Sequence, residues 1–238
     1  MSALFEELDF RPTSIGALSL RRRRDVSTGD DIFEIILGDA YLMSSRFTVA
    51  EEALAHLGLA AVNGNGPLDV AVGGLGLGYT ARSALEDKRV GSLLVVDALE
   101  PVIDWHKDGL LPIGRELTAD GRTNFRLGDF FALSASRSGF DLDADGRRFD
   151  AILLDIDHSP TNVLDPGNLA FYQREGLQAL AAHLKPGGVF ALWSNDPPDE
   201  AFKVTLATVF AQVESHVVSF SSPFNDTDES NTVYVARL

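Results

Sequence analysis

The chain has 238 residues, of which 45% are hydrophobic and 23% charged, values typical of a folded protein rather than a disordered one. This length suffices for one sizeable core plus an extension. Thirty-five acidic residues against 20 basic ones give a formal net charge of -15, which repels phosphate backbones and argues against a nucleic-acid partner. Such a charge attracts cationic ligands, although it is also a common solubility trait.

The chain contains no cysteine, which excludes disulfides, thiolate metal sites and cysteine nucleophiles. Residues 1–12 include Glu6, Glu7 and Asp9, where a signal peptide would carry basic residues and an apolar run. No stretch has the length and hydrophobicity of a membrane span. We therefore expect a cytoplasmic protein that does not associate with membranes.

Residues 1–48 form the first predicted unit, an N-terminal β-hairpin extension. Apolar runs at 17–20 and 32–37 flank a polar segment, and a third run at 40–43 follows, as in a hairpin or short meander. Four consecutive arginines, 21–24, are interpreted as a solvated strand edge that discourages aggregation, in preference to an anion-binding patch.

The second predicted unit, residues 49–238, alternates apolar runs with helical stretches, the pattern of a parallel sheet covered on both faces. A helix opens it, with the hydroxyl of Thr48 as a predicted N-cap. The predicted parallel strands and intervening helices are 68–72, 80–85, 93–97, 102–111, 124–127, 151–155, 171–184, 189–193 and 201–210. A terminal hairpin, 216–220 and 232–236, adds one antiparallel strand to a mostly parallel, seven-stranded Rossmann-like sheet.

In open α/β sheets, ligands bind beyond the carboxyl ends of the strands. The first parallel strand leads into a Gly-rich turn, 73–80, whose backbone amides can approach a ligand closely. The second strand ends at Asp97, about twenty residues later, where a carboxylate can accept both hydroxyls of a ribose. Asp129 and Phe130 follow the third strand and are predicted to bind an adenine amino group and to lie near its ring. A helix cap is the alternative for Asp129.

The fourth strand ends in Asp155, Asp157 and His158, which can take or orient a proton from a nucleophilic acceptor. In an extended strand the two carboxylates share one face, and their repulsion would raise one pKa. A structural turn is the alternative. Asn195 and Asp196, after the fifth strand, are candidate acceptor contacts or part of a plain loop.

One acidic segment, 141–146, imitates the start of a calcium loop. Its twelfth position is Ile152 rather than the glutamate that calcium loops require. We interpret it as a polar turn, and no metal site is predicted.

Together these segments resemble the spermidine synthase-like (polyamine aminopropyltransferase) branch of the class I S-adenosylmethionine-dependent methyltransferase fold. The resemblance covers nearly the whole chain and is most specific at 149–155 and in the segment from 171 to 188. It implies a metal-free displacement at a sulfonium-activated carbon, accelerated mostly by proximity, and a homodimer formed through the N-terminal β element.

The resemblance also implies roles for individual residues. Asp155 corresponds to the aspartate that helps to deprotonate an attacking amine. From their position beside it, we expect Asp157 and His158 to be orienting groups. The residues expected at the cofactor are Gly74, Gly76, Leu77, Gly78, Asp97, Asp129 and Phe130.

Two positions depart from that family's pattern. Leu77 stands where the family carries an aspartate that holds the amine of decarboxylated S-adenosylmethionine, and His158 stands where it carries a second aspartate. Three hypotheses therefore stay open. They are an aminopropyltransferase acting on a cationic amine, a methyltransferase using S-adenosylmethionine on a small acceptor, and a nucleoside-binding module without turnover.

Overall fold

The computed structural model describes residues 4–13, 15–221 and 228–238. Within these ranges the chain forms a four-stranded antiparallel sheet followed by a seven-stranded, mostly parallel sheet with helices packed against it. No helix in the described ranges is long and apolar enough to cross a membrane.

The N-terminal sheet is larger than the predicted hairpin. Its strands, in spatial order, are β1 (Phe5–Thr13), β2 (Gly16–Arg24), β3 (Asp31–Leu37) and β4 (Ala40–Ser44). Leu18, Leu20 and Ile35 are buried, so one face of this sheet joins the core of the larger domain. Strand β1 was not expected, because residues 5–13 alternate apolar and charged residues too irregularly to stand out.

The interpretation of residues 21–24 as a solvated edge is wrong. They belong to β2, which lies between β1 and β3 and therefore has no free edge. Each arginine pairs with a carboxylate of a flanking strand: Arg21 with Glu7, Arg22 with Glu6, Arg23 with Glu34 and Arg24 with Asp31. Opposite charges on neighbouring strands stabilise their pairing.

Helix α1 (Val49–Ala60) connects the two sheets. Thr48 occupies the N-cap position, as expected, but its hydroxyl donates to Glu52 Oε1 and makes no bond to a backbone amide. The helix lies close to the large sheet at Gly58, where a Cβ would come within 2.6 Å of Leu153 Cδ2. This close approach fixes the first turn of α1 near the carboxyl ends of the strands.

The large sheet confirms the predicted fold class. Its strands are β5 (Leu68–Gly73), β6 (Val90–Asp97), β7 (Thr123–Leu127), β8 (Phe149–Leu154), β9 (Leu184–Ser194), β10 (Gln212–Ser221) and β11 (Asp228–Arg237). They are arranged in the order β10-β11-β9-β8-β5-β6-β7, and β11 alone is antiparallel to both of its neighbours. The strand order reverses between β5 and β8, and ligands bind at such switch points.

The predicted helices are present, and the two helices that the sequence pattern did not predict are short. The remaining ones are α2 (Tyr79–Glu86), α3 (Glu100–Lys107), α4 (Gly114–Ala119), α5 (Phe130–Ala135), α6 (Arg174–Ala181) and α7 (Glu200–Ala207), with a 3-10 helix at Pro166–Ala170. Helices α4 and α5 were not predicted, because a six-residue helix is too short to show an apolar periodicity. The helix predicted at 171–184 is shorter, since Leu184 already begins β9.

The two faces of the large sheet have separate cores. Leu153 and Ala191 pack with α1 on one face, whereas Leu154 and Leu192 pack in an aromatic-rich core on the other, as strand alternation requires. These faces determine which side chains meet at the carboxyl ends of β8 and β9.

Candidate ligand-binding site

A cavity of about 1230 Å³ lies at the carboxyl ends of the parallel strands. Its walls come from the Gly-rich turn, the strand ends, the segment around the 3-10 helix and the N-terminal sheet. Cavities that hold drug-sized ligands are typically about 300–1,000 Å³. This one therefore has room for a nucleoside together with a second small molecule.

The ionisable side chains around the cavity are almost all acidic. No lysine or arginine is among its described lining residues, and His158 is the one basic side chain there. The acidic residues are Glu51, Asp97, Asp129, Asp155, Asp165 and Glu175. Low-dielectric walls carrying one sign of charge concentrate ligands of the opposite sign, so the cavity favours cations.

The Gly-rich turn lies against the end of β8. Gly74 has φ of +92°, and a Cβ there would overlap the carbonyl oxygen of Asp155. Gly76 also lines the cavity, whereas Gly78 packs against the ring of His106. Leu77 is buried outside the cavity wall, and its amide donates to Met43 Sδ at 3.2 Å. Two of the four predicted turn residues, Gly74 and Gly76, therefore line the cavity.

Asp97 lines the cavity at the end of β6 and also holds the Gly-rich turn in place. Its Oδ2 accepts from the amide of Leu75 at 2.9 Å, and its Oδ1 accepts from the amide of Leu99 at 2.8 Å. Burial raises the pKa of Asp97, and these backbone hydrogen bonds oppose the rise. The Gly76 amide also bonds this carboxylate, which with about four acceptor sites in all can still accept from a ligand.

Asp129 lines the cavity and caps α5, the alternative that the sequence left open. Its Oδ1 accepts from the amides of Phe131 and Ala132 at 2.9 and 3.3 Å. Phe130 also borders the cavity, but it is buried and stacks on Phe140 with ring centroids 4.8 Å apart. The neighbouring Phe131 lines the cavity too and was not predicted as a site residue.

Asp155 and Glu51 bring two carboxyl groups to the α1 side of the cavity. Asp155 Oδ2 accepts from the Thr80 hydroxyl at 2.7 Å, and burial raises the pKa of Asp155 to about 6 despite that bond. Burial, followed by repulsion from Asp155, raises the pKa of Glu51 to about 8. Sequence reasoning missed Glu51, because an acidic residue in a first helical turn is ordinary.

The expectation that Asp155 and Asp157 share one face is wrong, because β8 ends at Leu154. Asp157 is buried and is not among the described residues that line the cavity. Its carboxylate accepts from the Leu164 amide at 2.7 Å, from Asn168 Nδ2 at 3.0 and 3.1 Å, and from the Tyr172 hydroxyl at 2.8 Å. Asp157 therefore anchors the segment that forms one cavity wall.

Of the other predicted polar residues, only His158 lines the cavity. Asn195 donates its amide to the carbonyl of His158 at 2.7 Å, and its side chain accepts from Asn231. Neither Asn195 nor Asp196 is among the cavity-lining residues in the described part of the chain. Trp193, just before them, lines the cavity instead, and nothing in the strand pattern marked it as a site residue.

Comparison with known proteins identifies the fold. No family model matches the chain, and no curated protein matches it. A solved spermidine synthase from Thermotoga maritima matches with a TM-score of 0.72 and 18% identity, over 97% of this chain and 72% of that chain. A spermidine synthase in complex with the transition state analogue AdoDATO matches with 0.71 and 19%, over 97% and 73%. The predicted spermidine synthase-like fold is thereby confirmed.

No group of three or more His, Asp or Glu side chains within the described ranges is placed to hold a metal ion. Several carboxylates around the cavity cap helices or accept from a turn amide. Glu51 and Asp155 form a pair of carboxyl groups beside them. The arrangement can bind a cation and accept a proton.

Proposed function

We propose that the protein transfers an aminopropyl group from decarboxylated S-adenosylmethionine to a small amine. The observation that carries this proposal is a cavity lined by six carboxyl groups and, among the described residues, by no lysine or arginine. Decarboxylated S-adenosylmethionine has an ammonium and a sulfonium but no carboxylate, so it suits this charge. The carboxylate of S-adenosylmethionine would instead be repelled, with no lysine or arginine among the described lining residues to compensate.

The residues around the switch point fit such a nucleoside. Gly74 and Gly76 give the backbone room to approach its tail, and Asp97 is proposed to accept from the ribose hydroxyls. Asp129 and Phe131 are proposed to contact the adenine. Both α5 amides that bond Asp129 donate to its Oδ1, so its Oδ2 is the proposed acceptor for the adenine amino group.

Asp155 is the proposed proton acceptor. Decarboxylated S-adenosylmethionine supplies a sulfonium-activated carbon. The amine nitrogen forms a bond to that carbon, the carbon–sulfur bond breaks with its electrons moving to sulfur, and methylthioadenosine leaves. Asp155 takes the proton that the nitrogen loses, and its raised pKa makes it a stronger base than an exposed aspartate. Holding both reactants in one cavity supplies most of the acceleration.

Methyl transfer from S-adenosylmethionine to a small acceptor is the second candidate function. Leu77 favours it, because this apolar residue stands where the resembled family places an aspartate for the cofactor amine. Both candidates share the nucleoside site and Asp155, and they differ in the cofactor that binds.

Calorimetric titration with S-adenosylmethionine, its decarboxylated form and methylthioadenosine separates the candidates. The proposal expects the decarboxylated form to bind about tenfold more tightly than S-adenosylmethionine. The reverse preference would support methyl transfer. Asp155→Asn should keep nucleoside binding and lose turnover, and unchanged turnover in that variant would contradict the role of Asp155 as proton acceptor. A nucleoside-binding module without turnover would instead be supported if cofactor binding and cell function were indifferent to the loss of Asp155 and Asp157.

A homodimer is proposed on the same resemblance, with the N-terminal sheet as the contact. Light scattering at micromolar protein concentration would show twice the 25.7 kDa chain mass, and a monomer would contradict it.

A further inference from the structure

Three cavity-lining side chains come together on one face of the large sheet. Leu153 and Ala191 face α1, and Trp193 of β9 packs against the same core. Asp155 directly follows β8, and the Thr80 hydroxyl that donates to its Oδ2 also lies 3.3 Å from the Glu51 carbonyl of α1. The pairing of Leu154 with Leu192 places these two strand ends side by side. Glu51 reaches the same region from α1, close enough for Asp155 to raise its pKa. We call Glu51, Asp155 and Trp193 the amine subsite.

The indole N–H of Trp193 is a buried hydrogen-bond donor. Its Nε1 is buried and has no hydrogen-bond partner within the described ranges. Buried donors without a partner are rare in folded proteins. The side chain also borders the cavity, so a ligand can contact it.

The wall near the amine subsite is apolar. Leu42 and Met43 lie in the second half of β4, ahead of the helix that carries Glu51, and both line the cavity. Met43 lies over the Gly-rich turn, since a Cβ on Gly76 would come within 2.8 Å of its sulfur. If one ammonium of a diamine lay between the two carboxyl groups, its second ammonium would lie against this apolar wall. There it would lose its hydration without gaining a hydrogen-bond partner.

The other four carboxyl groups of the cavity belong to other elements, and three of them accept hydrogen bonds from the backbone. Asp97, Asp129 and Asp165 each accept hydrogen bonds from backbone amides at strand or helix ends. Glu175 belongs to α6, whose buried residues pack in the core on the opposite face of the sheet. The amine subsite therefore has carboxyl groups to pair with one ammonium but none to pair with a second.

We infer that the amine subsite binds the acceptor, and that the acceptor is a monoamine with an apolar body rather than a diamine. This inference rests on the proposed function. The ammonium lies between Glu51 and Asp155, where the ring of Trp193 adds a favourable cation–π contribution. The apolar body of the amine lies against Trp193, Leu42 and Met43.

Steady-state kinetics with decarboxylated S-adenosylmethionine and a set of amines test the inference. Phenethylamine and butylamine should exceed putrescine in kcat/KM by about tenfold. Trp193→Ala should raise the KM for phenethylamine by about tenfold while the Kd of the decarboxylated cofactor stays unchanged. Trp193→Phe keeps an aromatic ring at this position and should retain the preference for monoamines. This variant still tests the inference if the alanine variant fails to fold.

Glu51→Gln has a matched control one residue away. Glu52 belongs to the same helix but pairs with Arg82 at 2.9 Å and is absent from the cavity-lining residues described above. Glu51→Gln should raise the KM of every amine, and Glu52→Gln should match the unmodified protein.

The inference would be overturned if putrescine were the best acceptor, or if Trp193→Ala left the order of amines unchanged. Failure of the decarboxylated cofactor to bind would count against the proposed function instead. If no amine were aminopropylated, calorimetry of phenethylamine with the methylthioadenosine complex would still report on the subsite. Absence of binding there, or equal binding to Trp193→Ala, would overturn the inference.

Discussion

Glu51 and Asp155 face one cavity from two different elements, the first turn of α1 and the end of β8, and the charge of Asp155 adds to burial in raising the pKa of Glu51. Glu51 keeps its proton up to about pH 8 in the folded protein. An unfolded glutamate releases its proton at about pH 4.3. Between these values the folded state binds more protons, so its stability falls as the pH rises.

Replacing Glu51 by glutamine should remove that loss of stability. We expect Glu51→Gln to be at least about 1 kcal/mol more stable than the unmodified protein at pH 8 and to differ little at pH 4, because one pKa unit corresponds to about 1.4 kcal/mol. Urea unfolding of both proteins across this pH range measures the difference. Glu52→Gln is the control, and its profile should run parallel to that of the unmodified protein. Parallel profiles for Glu51→Gln as well would contradict the raised pKa.

Two glycines of the Gly-rich turn should differ sharply in their tolerance of alanine. At Gly74 a Cβ would overlap the backbone carbonyl of Asp155, and its φ is +92°. At Gly76 the nearest atom is the sulfur of Met43, the end of a flexible side chain. We expect Gly74→Ala to lower the free energy of unfolding by several kcal/mol, roughly the upper range for single substitutions.

Gly76→Ala should cost about 1 kcal/mol, since the Met43 side chain can move and alanine tolerates φ of +47° at that cost. Thermal unfolding and methylthioadenosine titration of both variants give the comparison. Equal stability of the two variants would show that the turn does not lie against β8 as described.

The carboxylate of Asp157 supports a cavity wall from outside the cavity. Asp157→Ala removes the acceptor for the Leu164 amide, the Asn168 side chain and the Tyr172 hydroxyl. Leaving several buried donors unpaired should cost about 2–4 kcal/mol of stability, whereas Tyr172→Phe removes one bond and should cost about 1 kcal/mol.

Hydrogen exchange tests whether that cost is local. In Asp157→Ala, faster exchange should be concentrated in residues 158–172, with the amides of β5 and β8 less affected. Uniform acceleration across the sheet would contradict the role of Asp157 as the anchor of this one segment.

The sequence predicted the large sheet well because its parallel strands are buried on both faces and therefore read as apolar runs between turn signals. The same logic located Asp97 and Asp155, which lie at strand ends. It could not locate Glu51 or Trp193. A glutamate in a first helical turn and an aromatic residue in a strand are ordinary at those positions, and only the packing of α1 on the sheet brings them together.

The errors have equally local causes. The arginines of β2 looked like an edge because their acidic partners on β1 and β3 are distant in sequence, and cross-strand register is not visible there. Asp157 was grouped with Asp155 on the assumption that the strand continued. The chain leaves the strand after Leu154, which sends the two carboxylates to different partners.

Asp97 has two roles that substitution can separate. Asp97→Ala leaves the amides of Leu75 and Leu99 without an acceptor, so it should lose about 1–3 kcal/mol of stability as well as nucleoside affinity. In Asp97→Asn the side-chain oxygen can still accept from one of the two amides, while the NH₂ group faces the other. Its stability should therefore lie between those of the alanine variant and the unmodified protein.

Nucleoside affinity should not follow the same order if Asp97 binds the ribose. Both variants lack the carboxylate that accepts from two hydroxyls, so calorimetry with methylthioadenosine should show a loss of about tenfold or more in each, measured well below their unfolding temperatures. Asp155→Asn is the matched control, since it changes a carboxylate in the same cavity and is expected to keep nucleoside affinity. Affinity that tracked stability across the two Asp97 variants would mean that Asp97 acts only by holding the Gly-rich turn.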